Sequence, residues 1–257
     1  MTPTQVVRVS ISGQIATVTL ASPPANALGL ALKLGLSDAL DAAEAANARV
    51  LVVRSEVDGY FAAGADLELL AGVDTGGFLE HLGDLRSELE RFADSRLMSL
   101  AAIAGFALGG GLELAMACTI RVASPRAKLG VPEIKLGLLP GRVARSVCRG
   151  SSGDGRRFDL LLSGRSISAE EGFRLGLVDH PASGGGAELL AVELAGRYAA
   201  LPSAALAATV LCVDATRDLP FAEGRIVERD GIVELFGTED AYEGISAFVE
   251  KRQAALQ

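Results

Sequence analysis

Three consecutive glycines, Gly109–Gly111, separate an apolar run from a segment suited to a helix, and they constrain the fold more than any other feature. Met98–Ile103 before them is predicted to be a buried strand. Because glycine has no Cβ, the backbone at this turn can approach a ligand closely. The unpaired N–H groups of a helix's first turn also attract negative charge. The sequence therefore predicts a site for an anion, or for an oxygen that becomes one.

Strand and helix patterns alternate along the chain up to about Gly141. Val6–Ile11 and Ile15–Leu20 predict a strand pair joined by a short turn. Leu28–Ala46 has helical spacing, and Val50–Val53 is typical of a strand buried on both faces. A strand, a helix and a second strand in this order predict a right-handed crossover and a parallel sheet, and hence an α/β fold.

Two segments between the strands are predicted to be irregular. Gly59–Ala65 is a loop of small residues, after which Asp66 caps a short helix through Leu70. Asp74–Gly77 is a flexible link into a longer helix that ends near Ser95.

The later part of the chain is predicted to be helical. Ser168 and Glu171 have the spacing of a capping box. The helical segments are Phe158–Leu162, Ser168–Leu175, Glu188–Ala200, Ser203–Val213, Phe221–Phe236 and Asp240–Leu256. We expect residues 1–200 to form the core that carries the site and residues 201–257 to form a helical region for assembly.

The composition excludes several classes of function. With 24 basic and 32 acidic residues, the net charge is −8, which disfavours nucleic acid and anionic membrane surfaces as partners. No apolar stretch reaches the roughly 20 residues that span a bilayer. Arg8 and Ser10 interrupt the early apolar residues, so no secretory signal is predicted.

The cysteines and histidines do not have the spacing of metal ligands. We expect buried free thiols, no metal site and a reducing, cytoplasmic compartment. The cysteines are Cys118, Cys148 and Cys212, and the histidines are His81 and His180.

Three segments combine small residues with carboxylates: Phe61–Leu67, Gly109–Glu113 and Gly130–Gly141. N–H groups from the first two could converge on one ligand oxygen and form an oxyanion hole. Glu113 lies in the first turn of the predicted helix, where the helix dipole favours a negative charge, and it could serve as a base. Glu133 follows Pro132, which stiffens the backbone, in a segment punctuated by glycine and proline.

Two such carboxylates can divide the roles of base and acid when their environments differ. Each feature also has an ordinary explanation. Adjacent glycines serve tight helix packing, Glu113 suits a helix start, and Glu133 suits a surface loop. The combination is more specific than any one of its parts.

In these motifs the chain resembles the crotonase (enoyl-CoA hydratase/isomerase) superfamily. The resemblance implies a crotonase-like ββα spiral core with a C-terminal helical trimerisation region, and it covers nearly the whole chain. The matching motifs, in order, are Phe61–Leu67, Ala107–Ala115, Val131–Ile134, Leu162–Arg165 with Gly176–Val178, and Glu243–Arg252.

The resemblance implies roles for four residues. The N–H groups of Ala65 and Gly110 bind the thioester oxygen of an acyl-CoA. Glu113 activates a water for attack at C3, and Glu133 protonates C2. The presence of both glutamates favours the reversible syn hydration of a 2-enoyl-CoA to a 3-hydroxyacyl-CoA. Coenzyme A then enters as part of the substrate, and no metal or redox cofactor is implied.

The resemblance also implies substrate contacts and an assembly. Members form trimers, commonly paired into hexamers, with the C-terminal helices at subunit contacts. Phe248 and Lys251 could then bind the nucleotide of a neighbouring subunit, or they could be an ordinary packing residue and a solvated charge. The residues implied in substrate or coenzyme A binding are Ala25, Ala63, Asp66, Leu67, Gly141, Phe248 and Lys251.

The chain departs from the family pattern at three places. Glu68 stands where hydratases usually carry a lysine near the coenzyme A phosphates, and a carboxylate there repels phosphate. Arg142–Val147 replaces small residues near the acyl pocket, where Val143 and Phe236 are also expected. Thr119 replaces a frequent acidic residue.

Arg142 and Arg145 could bind a carboxylate or phosphate, or they could be surface charges. Three alternatives to hydration of a simple enoyl-CoA through the same enolate stay open: isomerisation, hydration of a cyclic dienoyl-CoA and thioester hydrolysis. A non-catalytic acyl-CoA-binding subunit is a further alternative, motivated by Glu68.

Overall fold

The computed structural model describes residues 5–141, 154–183 and 186–256, apart from the side chains of residues 154–157 and 216–218. Its strands are β1 (Val7–Ser12), β2 (Ile15–Leu20), β3 (Ala27–Leu28), β4 (Val50–Ser55), β5 (Tyr60–Ala62), β6 (Gly64–Ala65), β7 (Met98–Ile103), β8 (Phe106–Leu108), β9 (Ile120–Ala123), β10 (Lys128–Gly130), β11 (Ser166–Ser168) and β12 (His180–Pro181).

Helices cover the strands and form most of the later chain. They are α1 (Leu30–Ala45), α2 (Leu67–Ala71), α3 (Thr75–Asp94), α4 (Gly110–Ala117), a 3-10 helix (Pro132–Leu136), α5 (Asp154–Ser163), α6 (Ala169–Arg174), α7 (Gly186–Ala199), α8 (Ser203–Asp218), α9 (Phe221–Phe236) and α10 (Glu239–Glu250).

The largest sheet has the strand order β1-β2-β4-β7-β9-β12. β1 and β2 are antiparallel, as their short turn requires, and every later neighbour is parallel. The central strands β4 and β7 are buried on both faces, as their mostly apolar runs predict, whereas the edge strand β1 is largely exposed. Val50 and Val52 pack in the same cluster as Leu194 of α7, whereas Leu51 belongs to the main core with α1. The predicted α/β core with a parallel sheet is confirmed.

A segment that the sequence predicted to be a loop contributes one strand to each of two smaller sheets. Gly59–Ala65 contains both β5 and β6, so the loop prediction is wrong for most of its length. β5 joins a four-stranded sheet of order β11-β10-β8-β5, and β6 pairs in parallel with β3. These short pairings fix the segment before Asp66 against the segment before α1.

Two helix boundaries differ from their predictions. Asp74–Gly77 is not a link, because Asp74 caps α3 by accepting a hydrogen bond from the N–H of Gly77, and the helix begins at Thr75. α10 ends at Glu250 instead of continuing to Leu256. At its end Lys251 has φ +55°.

The helices α8, α9 and α10 follow the last strand of the described chain and expose large apolar side chains, including Phe221 and Phe248. The division at residue 200 and the assembly role of this region stay predictions. Of the described helices, none alone combines the length and hydropathy of a bilayer span. Only α7 with Ser203–Ala215 does so jointly, across a bend of 113°.

Several polar and sulfur-containing residues also have defined positions. Thr119 and Ser99 exchange backbone-to-hydroxyl hydrogen bonds that tie β7 to the start of β9. Cys118 is a free thiol, and its burial raises its pKa to about 12. Cys212 is a half-buried free thiol. Cys148 lies outside the described residues.

Candidate active site

The glycine run forms the junction between β8 and α4. Gly109 precedes the helix with φ +50°, a conformation that glycine adopts without strain, and its N–H donates to the carbonyl oxygen of Gly130 at 2.9 Å. A Cβ on Gly111 would collide with the carbonyl oxygen of Ala62 in β5. The start of α4 is thus pressed against β5, and this approach requires glycine.

The amides of Ala65 and Gly110 lie on two adjoining segments. A Cβ added to Gly64 would lie 3.2 Å from the amide nitrogen of Gly110 and 2.7 Å from the carbonyl oxygen of Leu108. Gly110 is the first residue of α4, where an N–H has no acceptor within its own helix. The structure therefore brings together the two segments that the sequence predicted to converge.

Glu113 lies in the first turn of α4 and is only 8% exposed. A Cβ on Gly141 would lie 2.7 Å from Oε1 of Glu113, so this carboxylate faces the segment that follows the 3-10 helix. The positive end of the helix dipole favours the charged form of such a residue.

Glu133 is the second residue of the 3-10 helix, which Pro132 begins. A Cβ on Gly109 would lie 2.6 Å from Oε1 of Glu133. The Oε2 atom of Glu133 is buried and has no hydrogen-bond partner among the described residues. The carboxyl group therefore lies over the start of α4 with one oxygen available to a ligand.

The two carboxyl groups influence each other. Burial raises the pKa of Glu133, the negative charge of Glu113 raises it further, and a backbone hydrogen bond within Glu133 opposes the shift. Glu133 therefore holds a proton to higher pH than a free glutamate does. A proton on one carboxyl group beside a charged partner is the arrangement that lets a pair act as acid and base.

Several of the other predicted residues surround the Ala65 segment. The carbonyl oxygen of Ala25 accepts a hydrogen bond from the N–H of Ala63 at 2.9 Å. Asp66 caps α2, its Oδ1 accepting two N–H groups of the first turn at 3.1 Å, as predicted. Leu67 is the exposed first residue of that helix.

The remaining predicted residues lie elsewhere. Phe248, 84% exposed, is on α10, which packs against α9, and Lys251 directly follows α10, so neither residue lies on the helices that carry the two glutamates. Phe236 is exposed at the end of α9. Arg142–Val147 lies outside the described residues. In the described ranges no group of three or more His, Cys, Asp or Glu side chains is arranged to hold a metal ion.

Asn26 supports the site and was not predicted. It is buried with φ +52°, and its side-chain amide donates to Ser55 Oγ at 2.8 Å and to the carbonyl oxygen of Phe61 at 2.9 Å. Its Oδ1 accepts the N–H of Ser22 at 2.8 Å. Asparagine tolerates a positive φ and bonds to nearby backbone, so an Asn shortly after Pro23-Pro24 was an available signal.

The turn at Gly164 packs against the 3-10 helix that carries Glu133. A Cβ there would lie 2.9 Å from Ile134 Cγ2, so the turn after α5 packs directly on the 3-10 helix. Arg165 fixes this turn through paired hydrogen bonds to both carboxylate oxygens of Glu171, at 3.0 and 2.6 Å. In the predicted capping box, the Oγ of Ser168 accepts the N–H of Glu171 at 3.2 Å.

We expect Glu133→Gln to stabilise the protein at neutral pH. At neutral pH the buried carboxyl group of the parent, whose pKa is raised above 4.5, must either carry a charge or bind a proton that the unfolded chain lacks, and the amide avoids both costs. The gain in Tm should shrink as the pH falls toward 4, because the parent carboxyl group then binds a proton in both folded and unfolded states. Calorimetry between pH 4 and 8 measures this. Glu193→Gln, on the exposed side of α7, is the control and should show no such trend, and a parallel trend in both variants would contradict the prediction.

Comparison with known proteins identifies relatives along the whole chain. The family model described as enoyl-CoA hydratase/isomerase matches residues 10–257. A Rhizobium meliloti protein named "Probable enoyl-CoA hydratase" is 37% identical over 254 residues, covering 97% of this chain and 96% of that relative. The mitochondrial methylglutaconyl-CoA hydratase of Mus musculus is 34% identical over 232 residues, covering 88% and 74%. The crystal structure of an enoyl-CoA hydratase from Bacillus anthracis has a TM-score of 0.91 at 31% identity, covering 98% of this chain and 99% of that one.

Proposed function

Because this chain belongs to the enoyl-CoA hydratase/isomerase family and has the crotonase fold, we propose that it is an enoyl-CoA hydratase. The proposed reaction is the reversible syn addition of water to a 2-enoyl-CoA, which gives a 3-hydroxyacyl-CoA. The observation that carries the proposal is the placement of two carboxyl groups, Glu113 and Glu133, around the start of α4. A single acid or base would serve isomerisation or hydrolysis as well, whereas hydration uses both groups on one water.

The proposed role of the two amides is to hold the thioester carbonyl oxygen. Addition at C3 moves an electron pair through the conjugated system onto this oxygen, which becomes an enolate. Hydrogen bonds from the N–H groups of Ala65 and Gly110 strengthen as that charge grows, so they bind the transition state more tightly than the substrate. The adjoining positions of Gly64 and Gly110 support this arrangement.

The two glutamates divide the proton transfers. Glu113 accepts a proton from water as the oxygen bonds to C3, and Glu133 donates its proton to C2 as the enolate collapses. One water is thereby added across the double bond on one face. The raised pKa of Glu133 supports its role as the acid, because the group then carries a proton to give.

Substrate binding and assembly follow from the same proposal. Ala25, Ala63, Asp66 and Leu67 would line the path of coenzyme A beside the oxyanion segment, and Gly141 would border the water near Glu113. Exposed apolar side chains on α8, α9 and α10 favour burial in a trimer or hexamer. In such an assembly Phe248 and Lys251 would bind the coenzyme A nucleotide of a neighbouring subunit.

The test is turnover of crotonyl-CoA and of longer and cyclic enoyl-CoA esters by the purified protein. Loss of the conjugated thioester absorbance reports hydration, and the product mass must rise by one water. Isomerisation leaves the mass unchanged, and thioester hydrolysis releases free coenzyme A. The proposal would be contradicted if the absorbance stayed constant with every ester tested, or if the product lacked the added water.

A further inference from the structure

A buried lysine lies where α1 and α3 meet, and the proposed hydration does not use it. The side chain of Lys33 is only 4% exposed. Its Nζ lies 3.4 Å from His81 Nδ1 and 3.5 Å from Asp84 Oδ2, both on α3. A buried ammonium is costly unless it is paired and hydrogen-bonded, so these contacts to α3 hold the two helices together.

The chemistry of the pair fixes the protonation of the histidine. An ammonium group can only donate hydrogen bonds, so Nδ1 of His81 must accept, and the ring is neutral with its hydrogen on Nε2. That Nε2 is buried and has no hydrogen-bond partner in the described ranges. A second proton on Nδ1 would remove the acceptor and place two cations 3.4 Å apart.

α3 contacts the start of α4, beside the candidate oxyanion site. Leu85, one turn after His81, has its Cδ2 atom 3.5 Å from the position of a Cβ on Gly110. On the other side of the cluster, Oδ2 of Asp66 lies 3.1 Å from the position of a Cβ on Gly29, which precedes α1. The segments that carry both proposed donor amides therefore border the surface where α1 and α3 meet.

We propose that Lys33, His81 and Asp84 form a clasp that seats α3 against α1 and the start of α4, and that a proton on His81 opens it. Lys33 and His81 are thus positioning residues for the segment that carries the Gly110 amide, and only the role of that amide in hydration rests on the proposed function. The charged groups that face the ring are Lys33 from α1, Asp84 from α3 and Asp66 from the segment before α2.

The direction of the pH response follows from these surroundings. Burial, and then the charge of Lys33, lower the pKa of His81 below 6.5, while Asp84 and Asp66 oppose the shift. The closed clasp is therefore stable above pH 6.5 and weakens as the pH falls from 6.5 to the lowered pKa. Over that interval one linked proton increases the opening equilibrium by about tenfold per pH unit.

Hydrogen exchange of the α3 amides between pH 7.5 and 5 tests the clasp without any substrate. After correction for intrinsic exchange, opening of Thr75–Asp94 in the parent should increase by about tenfold per pH unit from 6.5 down to the lowered pKa of His81, and level off below it. His81→Asn keeps an acceptor for Lys33 but does not titrate, so its α3 exchange should stay level. His180→Asn is the matched control, since the chain has 2 histidines, and it should behave as the parent.

A second measurement separates the clasp from general folding effects. NMR titration of the His81 ring should give a pKa below 6.5, and Lys33→Met should raise it, because the neighbouring cation is gone. A His81 pKa above 6.5 in the parent, or equal pH dependence of α3 exchange in the parent and His81→Asn, would overturn the proposal. If the protein showed no hydratase turnover but the exchange results were as expected, the proposed function would be rejected and the proposed clasp would be retained.

Discussion

Glu113→Gln is expected to lower kcat/KM for hydration of an enoyl-CoA by about 10²–10⁴-fold, the usual contribution of a positioned acid or base. Glutamine has nearly the same volume as glutamate but cannot accept the proton of the attacking water. Glu113 is buried in the first turn of α4. The similar volume of glutamine keeps the packing there, and the substitution removes only the charge. The loss should therefore appear mainly in kcat, measured as the initial rate of absorbance decrease at saturating substrate.

Two further variants make this result specific. Glu193→Gln removes a carboxylate from the exposed side of α7 and should leave the rate unchanged. The double variant Glu113→Gln with Glu133→Gln should be little slower than the slower single variant, because two groups that act on one water are not additive. Hydration by Glu113→Gln at more than a tenth of the parent rate would rule out Glu113 as the base.

The glycine run shows how far the sequence could specify the site. Two explanations were open for it, close approach to a ligand and tight helix packing, and the structure shows a packing or backbone constraint at two of the three residues. Gly111 is required by the contact with Ala62, and Gly109 by its positive φ and by the Glu133 carboxylate against it. Gly110 has only the ends of Leu28 and Leu85 side chains and Gly64 Cα near its missing Cβ. A sequence of identical residues cannot reveal which explanation applies to which position.

Regular elements were predicted where a periodic pattern was long enough. The boundaries of α9 agree with the prediction, and β4 and β7 were identified from continuous apolar runs. β3 and β6 were missed because two residues per strand are too few to show alternation. The first turn of α3 was mistaken for a link because glycines at positions 76 and 77 have low helix propensity, whereas the cap by Asp74 favours the helix.

Contacts distant in sequence could not be predicted. Lys33 and His81 are 48 residues apart, and nothing in either local pattern indicates that they meet. The end of α10 is similar. Arg252 binds both carboxylate oxygens of Glu243 at 2.6 and 2.8 Å, and the N–H of Ala255 donates to the same side chain, so the tail folds back instead of extending the helix.

Gly110→Pro is expected to lower kcat by about 10²–10³-fold, the cost of one oxyanion donor. Proline has no N–H, and its fixed φ suits the first position of a helix, which Gly110 occupies. The fold can therefore accept the substitution while the proposed hydrogen bond to the thioester oxygen disappears. Because the ring Cδ of proline replaces the amide hydrogen and points toward the proposed position of the thioester oxygen, KM should rise as kcat falls.

Gly110→Ala is the matched control for this loss. It adds a Cβ but keeps the N–H, and the nearest atom to that Cβ is Leu28 Cδ1 at 3.0 Å, the end of a side chain that can move. The alanine variant should retain most of the parent kcat, and circular dichroism should show both variants folded. Equal losses in the two variants would indicate that crowding beside Leu28, and not the missing donor, is the cause. Parent-like turnover by a folded Gly110→Pro would exclude the Gly110 amide from the reaction.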